Sequence, residues 1–474
     1  MRDDQKEFIR GFVETTRDIV YLRDSDRIMI ILPNKIQHLN STAFDIFNCL
    51  YKEKLPPEET LRVLSTKYGI DENLLLNDIL VLIESANAIM NEDYSRARAV
   101  KTIPYDPDSL KYPILSEIAL TYRCQNKCSF CYASSPFRGK GESGEMKTHE
   151  VKIIIDKIKN QAYVPSMSFT GGEPTLRKDL VELVEYASRA GLRVNLITNG
   201  IRCSDVDFVK KLEDAGLKSV QISLESHLKD VHNRIVGNKN AYENTLKAVR
   251  NFSKTSVNVH TNTTICDRNQ GHLIDFIGFV KKEFGFPYLS MNMVIRTGTA
   301  RENDDIMMSY SCIKKLLPPL IDYCEKNEMK FVWYSPTPYC IFNPVDHGLG
   351  AKSCAAISGL LSVDPKGNIL PCSSFDRGVG NLLKHSFDYI WTSDEAMYWR
   401  ERRYIPPVCR SCKFRDICCG ACPLYWEHAG SFREIERMRE RRPFVKNILY
   451  NIERALRVRS HGISGRGKKE MKNV

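Results

Sequence analysis

From residue 115 onward, short apolar runs alternate with amphipathic helical patterns. This alternation is typical of consecutive βαβ units, so it predicts an α/β fold whose parallel sheet is closed or half closed into a barrel. The predicted strands cover residues 116–121, 166–170, 193–198, 219–224, 257–264 and 288–294. The polar motifs of this region follow the carboxyl ends of these strands, where parallel α/β folds bind their ligands.

The amino-terminal 100 residues have a different pattern. Two β-rich runs, 19–22 and 27–32, flank the turn-prone Asp24-Ser25-Asp26 and predict a hairpin. Three helical patterns follow, and Asp71 and Glu72 open the third. The apolar stripe of this third helix comprises Leu74, Leu75, Ile79, Leu82 and Ile83. A hairpin followed by three helices predicts a small winged-helix-like domain.

A chain of 474 residues is long enough for about three domains. Beyond about residue 331, the alternation of strands and helices gives way to a region rich in Cys, Pro and Gly, and then to a basic helical tail. We therefore expect an amino-terminal domain (1–100), a linker (101–112), the barrel (113–330), a cysteine-rich domain (331–430) and the tail (431–474).

The composition is that of an ordinary globular protein, with 42% hydrophobic and 27% charged residues. The charged start of the chain lacks the apolar core of a secretory signal, and no apolar run approaches the length of a membrane span. We therefore expect a cytoplasmic protein without a membrane partner. Residues 431–474 contain 13 Lys and Arg against five Asp and Glu, and so hold most of the net charge of +11. This location favours a solvated terminus over a nucleic-acid-binding surface.

Sixteen cysteines in such a chain favour metal binding over disulfide bonds, because the cytosol keeps thiols reduced. Cys124, Cys128 and Cys131 form a CxxxCxxC run directly after the first predicted strand. Three thiolates can bind three irons of a cubane cluster and leave one iron open, whereas a closed zinc site needs a fourth ligand from elsewhere. With the aromatic Phe130 before its last cysteine, the run resembles the signature of radical S-adenosylmethionine (SAM) enzymes.

This resemblance implies a 4Fe-4S cluster whose open iron binds SAM, and reductive cleavage of SAM to a 5'-deoxyadenosyl radical that abstracts hydrogen from a substrate. Gly171-Gly172-Glu173-Pro174 is similar to the GGEP motif of the family, which implies that Glu173 and nearby backbone hold the SAM amine. Arg234 resembles the arginine that pairs with the SAM carboxylate, a task that suits a bidentate guanidinium. The resemblance implies further SAM contacts at Phe130, Gly171, Gly172, Thr198, Asn199, Ser223 and Glu225, with Asn262 and Val294 near the adenosine.

A second group of cysteines comprises Cys354, Cys372, Cys409, Cys412, Cys418 and Cys422. A zinc ribbon usually separates its two cysteine pairs by about 15 to 20 residues. Only five residues separate Cys412 from Cys418, which disfavours that alternative. The arrangement resembles the SPASM extension of radical SAM enzymes that modify peptides, which carries two auxiliary 4Fe-4S clusters.

The SPASM resemblance implies one ligand set for each auxiliary cluster. Cys354, Cys372 and Cys422 would hold the first cluster, with Cys340 as a candidate fourth ligand, and Cys409, Cys412 and Cys418 would hold the second. No cysteine follows Cys422, so the usual last ligand of the second cluster is missing. Asp416 or Cys419 could replace it, or the site could stay open. The isolated cysteines, predicted to be small buried hydrophobic residues, are Cys49, Cys203, Cys266, Cys312 and Cys324.

The hairpin and helices of the amino-terminal domain resemble, in order and length, the pyrroloquinoline-quinone chaperone-like domains that bind leader peptides. Such domains capture an extended leader as an added strand at the edge of the hairpin. A winged-helix reader of nucleic acid is the alternative. It is disfavoured because the third helix is acidic and lacks the basic face that phosphate contacts require.

Together the resemblances imply a peptide maturase that forms a thioether or carbon-carbon crosslink, or oxidises a side chain, in a ribosomally made precursor peptide. A flavodoxin or ferredoxin would be the electron donor. Two alternatives stay open. One is a cofactor-biosynthesis enzyme that acts on a small molecule such as a tetrapyrrole, and the other is a non-catalytic iron-sulfur regulator that binds nucleic acid.

Overall fold

The computed structural model describes residues 3–33, 35–91, 93–100, 110–134 and 144–440. Residues 101–109 of the predicted linker lie outside this part of the chain, as does the predicted tail beyond residue 440.

The amino-terminal part packs four helices against a small antiparallel sheet. Helix α1 (Asp3–Thr16) leads into strands β1 (Val20–Arg23), β2 (Ile28–Ile31) and β3 (Lys35–His38), and α2 (Ser41–Phe47), α3 (Pro57–Tyr68) and α4 (Glu72–Met90) follow. The sheet order is β1-β2-β3, so β3 is an edge strand beside the central β2. The predicted hairpin and three helices are present, and the sequence analysis missed α1 and β3.

The buried face of α4 differs from the predicted stripe. Leu74 is 56% exposed, and Leu76, at 3% exposed, occupies the core instead. Leu74, Leu75 and Leu76 are consecutive, so the sequence pattern alone does not show which of them faces the core. Leu75, Ile79 and Ile83, which are buried four residues apart, show which face of the helix is buried. Among the described residues, α4 alone is long and apolar enough to cross a membrane by length and composition, and one face of it is buried in this domain.

The central part alternates strands with helices, as predicted. Its strands are β4 (Leu115–Thr121), β5 (Ser166–Gly171), β6 (Arg193–Thr198), β7 (Ser219–Ser223), β8 (Asn258–Ile265), β9 (Tyr288–Met293) and β10 (Lys330–Trp333). Its helices are α5 (Thr148–Asn160), α6 (Leu180–Arg189), α7 (Val206–Asp214), α8 (Lys229–Val236), α9 (Ala241–Phe252), α10 (Leu273–Phe284) and α11 (Tyr310–Lys326). The seven strands are parallel and adjacent in chain order, which confirms the partial barrel.

The cysteine-rich region continues the sheet of the barrel. It contains β11 (Leu360–Val363), β12 (Asn368–Leu370), β13 (Gly380–Asn381), α12 (Phe387–Trp391), α13 (Asp394–Arg400), α14 (Arg415–Cys418), α15 (Pro423–Ala429) and α16 (Arg433–Glu440). β11 pairs in parallel with β4, so the whole sheet has the order β10-β9-β8-β7-β6-β5-β4-β11-β12-β13. The boundary predicted between residues 330 and 331 falls inside β10, and the cysteine-rich region shares the barrel sheet.

The two faces of the barrel sheet differ in character because successive side chains of a strand point to opposite sides. On β4, Ile118 and Leu120 are fully buried in the core cluster that includes the surrounding helices. Glu117, directly before Ile118, is half-buried on the opposite face, which lines the lumen. The carboxyl ends of these strands then carry the loops of the candidate site.

Candidate active site

The loop after β4 carries three half-buried cysteines, Cys124, Cys128 and Cys131. The end of α8 holds this cluster loop through two backbone hydrogen bonds. The N–H of Lys127 donates to the carbonyl oxygen of Val236 at 2.9 Å, and the N–H of Ser129 donates to that of Ile235 at 3.0 Å. The structure therefore brings the three predicted ligands together in one anchored loop.

The chemistry of this thiol group fits a cluster. Burial raises the pKa of Cys124 to about 12, and the negative charges of Glu173 and Cys131 add to the rise. The pKa of Cys128 is raised still more clearly, by burial and by the charges of Cys131 and Cys124. Three thiolates at such a site need a compensating cation, and metal binding drives their deprotonation. The donor set therefore suits three irons of a 4Fe-4S cluster.

Three glycines around the cluster loop, two of them in the predicted GGEP motif, lie where a side chain would not fit. A Cβ on Gly172 would overlap the carbonyl oxygen of Arg123, and one on Gly237 would come within 2.5 Å of the carbonyl oxygen of Lys127. Gly171 combines the same lack of space with a φ of +127°, a conformation that favours glycine. The cluster loop is therefore packed directly against the backbone of Gly172 after β5 and of Gly237 after α8.

The segment after β9 forms a strap across the same loop. The N–H of Thr299 donates to the carbonyl oxygen of Cys131 at 3.0 Å, and its hydroxyl donates to that of Cys128 at 2.9 Å. Asn303 donates to a third carbonyl oxygen of the loop at 3.1 Å. A Cβ on Gly298 would overlap the carbonyl oxygen of Cys131. No motif in the sequence predicts this strap, because only a glycine after a strand marks it.

Glu173 is fully buried and uses its carboxylate within the protein. Oε1 accepts hydrogen bonds from the N–H and hydroxyl of Thr175 at 3.1 and 2.7 Å, and from the hydroxyl of Thr198 at 2.8 Å. Oε2 accepts from the N–H of Asn199 at 2.8 Å. The side chain therefore ties the end of β5 to the end of β6, and the contact of Glu173 and nearby backbone with the SAM amine stays a prediction.

Asn199 connects this network to the cluster loop. Its side-chain amide donates to Sγ of Cys124 at 3.7 Å, where the N–H of Asn126 also donates at 3.4 Å. The side chain of Gln125 in turn donates to Oδ1 of Asn199 at 3.3 Å. Hydrogen bonds to a ligating sulfur tune the potential of its cluster, so Asn199 is placed to act on the cluster, while its contact with SAM stays a prediction.

The end of β7 places Ser223 and Glu225 beside β8. Ser223 is half-buried and pairs in register with Asn262. Glu225 is 3% exposed, its carboxylate accepts the N–H of Thr264 at 2.8 Å, and burial raises its pKa to about 8. Nδ1 of the buried His232 accepts the N–H of Glu225 at 3.1 Å. His232 therefore supports the loop from behind, while Glu225 stays a candidate SAM contact.

Arg234 is exposed in the last turn of α8. The two residues after it, Ile235 and Val236, supply the carbonyl oxygens that anchor the cluster loop. Arg234 therefore lies at the rim of the site, where a guanidinium can pair with a carboxylate in a bidentate way.

The other predicted SAM contacts lie deeper in the protein. Asn262 donates from its amide to Asn292 at 2.8 Å and accepts from the hydroxyl of Ser290 at 2.9 Å. Val294 is 1% exposed and belongs to the main core, and Phe130 is half-buried against the same core. Ligand contacts of these residues stay predictions, since the structure gives each of them a partner within the protein.

A polar layer crosses the barrel lumen on the amino-terminal side of the cluster loop. In register across five adjacent strands it comprises Ser362, Glu117, Ser168, Asn195 and Ser219. The hydroxyl of Ser362 donates to Glu117 at 2.6 Å, and the amide of Asn195 donates to Ser168 at 3.1 Å. Burial raises the pKa of Glu117. The sequence analysis missed this layer because isolated small polar residues in strands carry no motif.

Three predicted ligands of the first auxiliary cluster form one half-buried group. Burial raises the pKa of Cys354 to about 12, and the charge of Cys422 adds to the rise. The pKa of Cys372 is raised by burial and by the charges of Cys354 and Cys422. The hydroxyl of Tyr404 hydrogen-bonds to Cys354. The structure therefore brings these three thiols together, as an iron-sulfur cluster requires.

The predicted second set also lies close together, since the N–H of Cys412 donates to the carbonyl oxygen of Cys409 at 3.0 Å and the charge of Cys412 contributes to the raised pKa of Cys418. Cys409 and Cys418 are buried, and Cys412 is half-buried. The N–H of Tyr339 donates to Sγ of Cys418 at 3.4 Å, and burial raises the pKa of Cys418 to about 11. This contact places Tyr339 and the adjacent Cys340 beside the second set, so the assignment of Cys340 to the first cluster stays a prediction.

A compact turn separates Cys418, of the second set, from Cys422, of the first. It has three consecutive left-handed residues, Cys419 at φ +53°, Gly420 at φ +69° and Ala421 at φ +70°. Cys419 is 1% exposed and hydrogen-bonds to Tyr404, which also contacts Cys354 of the first set. Asp416, with a 49% exposed side chain, pairs instead with Arg402 at 3.9 Å. The two candidate fourth ligands of the second cluster therefore differ in surroundings: Cys419 is buried beside Tyr404, and Asp416 is partly exposed beside Arg402.

The isolated cysteines are buried with one exception. Cys49, Cys203, Cys266 and Cys324 are buried as predicted. Cys312 is exposed in the first turn of α11, where the hydroxyl of Ser309 donates to its sulfur at 3.2 Å, so the prediction is wrong for this residue. In the described part of the chain, no three or more His, Cys, Asp or Glu side chains converge as one metal ion would require.

Comparison with known proteins agrees with this geometry. Residues 118–280 match the Radical SAM superfamily, and residues 354–413 match the SPASM iron-sulfur cluster-binding domain. The chain therefore contains a radical SAM domain and a SPASM domain. The radical SAM domain binds a 4Fe-4S cluster and SAM, and the SPASM domain binds additional iron-sulfur clusters. This radical SAM protein is an enzyme, so the alternative of a non-catalytic regulator is not supported.

The proteins similar to this radical SAM enzyme are named for different reactions. The PqqA peptide cyclase of Bradyrhizobium diazoefficiens is 28% identical over 321 residues, which are 65% of this chain and 81% of the cyclase. The AdoMet-dependent heme synthase of Methanosarcina barkeri is 26% identical over 337 residues, which are 68% of this chain and 95% of the synthase. SuiB of Streptococcus suis, solved with bound precursor peptide SuiA, has a similar fold, with a TM-score of 0.63 and 16% identity over 87% of this chain and 96% of SuiB.

Proposed function

We propose that this radical SAM enzyme modifies a precursor peptide that it captures by its leader. The main support is that the chain combines the barrel with a small amino-terminal sheet. Among the described residues, the edge strand β3 of this sheet pairs with β2 alone. The names of two similar proteins, PqqA peptide cyclase and SuiB bound to precursor peptide SuiA, support a peptide substrate.

The edge of β3 is suited to the addition of a strand. The N–H of Leu39 donates to the carbonyl oxygen of Arg27 at 2.9 Å. Because inward and outward pairs alternate in an antiparallel ladder, the N–H of Ile36 points away from β2. Nζ of Lys35 donates to the carbonyl oxygen of Met90 at 3.1 Å, which joins β3 to the end of α4. An extended leader can therefore pair along β3 beside α4.

When bound, the cluster and SAM supply the radical that starts the reaction. The residues of the chain hold and shield that site. The strap of Thr299 and Asn303 fixes the cluster loop, and Asn199 donates to Cys124. The polar layer around Glu117 offers hydrogen bonds to a substrate residue in the lumen. The product would be a thioether, a carbon-carbon crosslink or an oxidised side chain.

The setting of the reaction follows from its chemistry. Reduction of the cluster needs low-potential electrons, so we propose a flavodoxin or ferredoxin as the donor. The cytosol keeps thiols reduced, so we place the enzyme there. The auxiliary clusters would accept an electron or bind the substrate.

The test is anaerobic reconstitution with iron and sulfide, followed by dithionite, SAM and each small peptide encoded beside the gene. Mass spectrometry would follow 5'-deoxyadenosine and the peptide, and fluorescence anisotropy would follow peptide binding. We expect one peptide to bind and change mass with the wild-type protein, and Cys128→Ala to release no 5'-deoxyadenosine. Ile36→Pro removes the outward N–H and should weaken binding, whereas Ile36→Val keeps it. Equal binding by Ile36→Pro and Ile36→Val would refute capture at β3.

A second candidate is a cofactor-biosynthesis enzyme that acts on a small molecule such as a tetrapyrrole. The similarity to AdoMet-dependent heme synthase, which extends over 95% of that protein, favours it. The same reconstituted protein discriminates between the two. Turnover of a tetrapyrrole, with no peptide bound, would replace the peptide proposal by this one.

A further inference from the structure

A buried ion pair of the amino-terminal domain reaches the start of the barrel. The guanidinium of Arg23 donates from Nε and Nη2 to the carboxylate of Asp26 at 2.9 and 2.8 Å, and each side chain is 2% exposed. Nη1 donates to the carbonyl oxygen of Pro113 at 2.6 Å, and Nη2 donates to that of Tyr112 at 3.1 Å. We call Arg23, Asp26, Tyr112 and Pro113 the junction.

Apolar and aromatic contacts surround the junction. Ile28 and Ile30 of β2 pack with Ile114, directly before β4. The indole N–H of Trp391, in the cysteine-rich region, donates to the carbonyl oxygen of Lys111 at 3.0 Å. The same short stretch of chain therefore touches the amino-terminal domain and the cysteine-rich region, and continues into the barrel.

The buried ion pair of Arg23 and Asp26 contributes more to the relative orientation of the segments it joins than to the free energy of unfolding. Desolvation of two charges offsets most of their attraction, so a buried ion pair adds little net stability, but removal of one partner leaves an uncompensated charge. The planar guanidinium of Arg23 satisfies a carboxylate and two carbonyl oxygens in fixed directions. Few positions of the amino-terminal domain relative to the barrel allow all these hydrogen bonds to form together. The junction therefore favours one relative position of the two domains.

The junction lies at the end of the barrel that is remote from the cluster. Pro113 precedes the first residue of β4, and Tyr163, whose carbonyl oxygen also accepts from Arg23 at 3.5 Å, precedes β5. The cluster loop begins beyond the opposite end of β4, which is seven residues long. At about 3.3 Å per residue, β4 alone separates the two by about 20 Å.

We propose that the junction fixes the leader-binding domain at the amino-terminal end of the barrel and thereby sets a minimum spacing between leader and modified residue in the precursor. This inference rests on the proposed function. β3 adjoins β2, and Ile36 of β3 packs with Ile28 and Ile30 of β2 and with Ile114 beside the junction. A leader on β3 therefore lies on the junction side of the barrel, so the following chain must travel about 20 Å to the cluster. An extended chain needs about six residues for that distance. Precursors with shorter spacers should bind but escape modification.

The first test uses the precursor identified by the experiment above, with the spacer between leader and modified residue shortened one residue at a time. We expect the Kd for binding to stay constant while kcat falls about tenfold or more once the spacer is shorter than about six residues, because the reacting residue no longer reaches the site. Modification that is independent of spacer length would overturn the inference. Absence of any modified peptide at full length would instead count against the proposed function.

The second test needs no substrate. Arg23→Met/Asp26→Leu removes both charges, so that no unpaired charge is buried, and Arg62→Met/Glu59→Leu removes a matched exposed pair, 3.2 Å apart, on α3. Small-angle scattering of the full chain should give a larger radius of gyration for the junction variant alone, since the amino-terminal domain is no longer held. With the precursor, this variant should keep its Kd and lose the spacer threshold. Unchanged scattering together with an unchanged threshold would overturn the inference.

Discussion

Gly298 lies against the carbonyl oxygen of Cys131, so closely that a Cβ would overlap that oxygen. The N–H of the next residue, Thr299, donates to the same carbonyl oxygen at 3.0 Å. The strap after β9 thus meets the loop after β4 at the last predicted ligand of the SAM cluster. The position of Cys131 depends on a segment that lies far from it in the sequence.

Gly298→Ala should therefore disturb the SAM cluster. The added methyl group must push Cys131 away from the strap, so we expect fewer irons per chain and less 5'-deoxyadenosine after reconstitution. Gly298 has φ +53°, and an alanine there also costs about 1 kcal/mol of backbone strain. Gly285→Ala is the matched control, because Gly285 has φ +66° with no atom within 4 Å of an added Cβ. Full iron in Gly298→Ala would show that the strap does not position Cys131.

Asn199→Ala should lower the reduction potential of the SAM cluster. Its amide donates to Sγ of Cys124 at 3.7 Å, and a donor to sulfur stabilises the more negative, reduced state of a cluster. Redox titration followed by electron paramagnetic resonance measures the shift. Asn195→Ala is the control, since Asn195 lies on β6, the strand that ends directly before Asn199, but bonds to Ser168 and Ser219 rather than to a cysteine. Equal reduction potentials in the two variants would show that the hydrogen bond from Asn199 to Cys124 does not affect the potential of the cluster.

The sequence predicts what is local and misses what is distant. Each of the CxxxCxxC and GGEP motifs lies within one loop after one strand, so spacing alone reveals it. The contacts of Thr299 with Cys128 and of Arg23 with Pro113 join segments far apart in the chain, and no periodicity encodes them. Pairing of β11 with β4 is missed for the same reason.

Errors of burial have a related cause. Leu74 and Cys312 were predicted to be buried from residue type, and both are exposed on helices whose neighbours cover other faces. The carboxylate of Glu173 bonds to Thr175, Thr198 and Asn199, which the GGEP motif does not reveal, and its contact with SAM stays a prediction. A motif identifies a residue, whereas its partners depend on the fold around it.

Adjacent cysteines of the compact turn should differ in their effect on iron content. Cys418 accepts the N–H of Tyr339 among the second set of thiols, whereas Cys419 hydrogen-bonds to Tyr404 on the side of the first set. We expect Cys418→Ser to lose iron from the second auxiliary cluster and Cys419→Ser to keep it, as measured by iron analysis and Mössbauer spectroscopy. Loss of the same cluster in both variants would make Cys419 the substitute ligand.

His260 should make the fold sensitive to acid. It is 8% exposed, neither ring nitrogen has a hydrogen-bond partner among the described residues, and burial lowers its pKa to about 4. In the unfolded chain the pKa returns to about 6.5. Between these values the unfolded chain binds more protons, so the free energy of unfolding falls as the pH drops from about 6.5 towards 4.

His260→Phe keeps a ring beside Tyr288, whose centroid lies 5.2 Å from that of His260, and removes the titrating group. Urea unfolding at pH 7 and pH 5 should show a loss of stability for the wild type that exceeds the loss for His260→Phe by up to about 2 kcal/mol. Cluster ligands are common to both proteins, so their own acid sensitivity cancels in this difference. His149→Gln, at an exposed position, should lose as much as the wild type. Equal losses for the wild type and His260→Phe would mean that the ring of His260 is solvated in the folded protein, because only burial separates its pKa from the ordinary value.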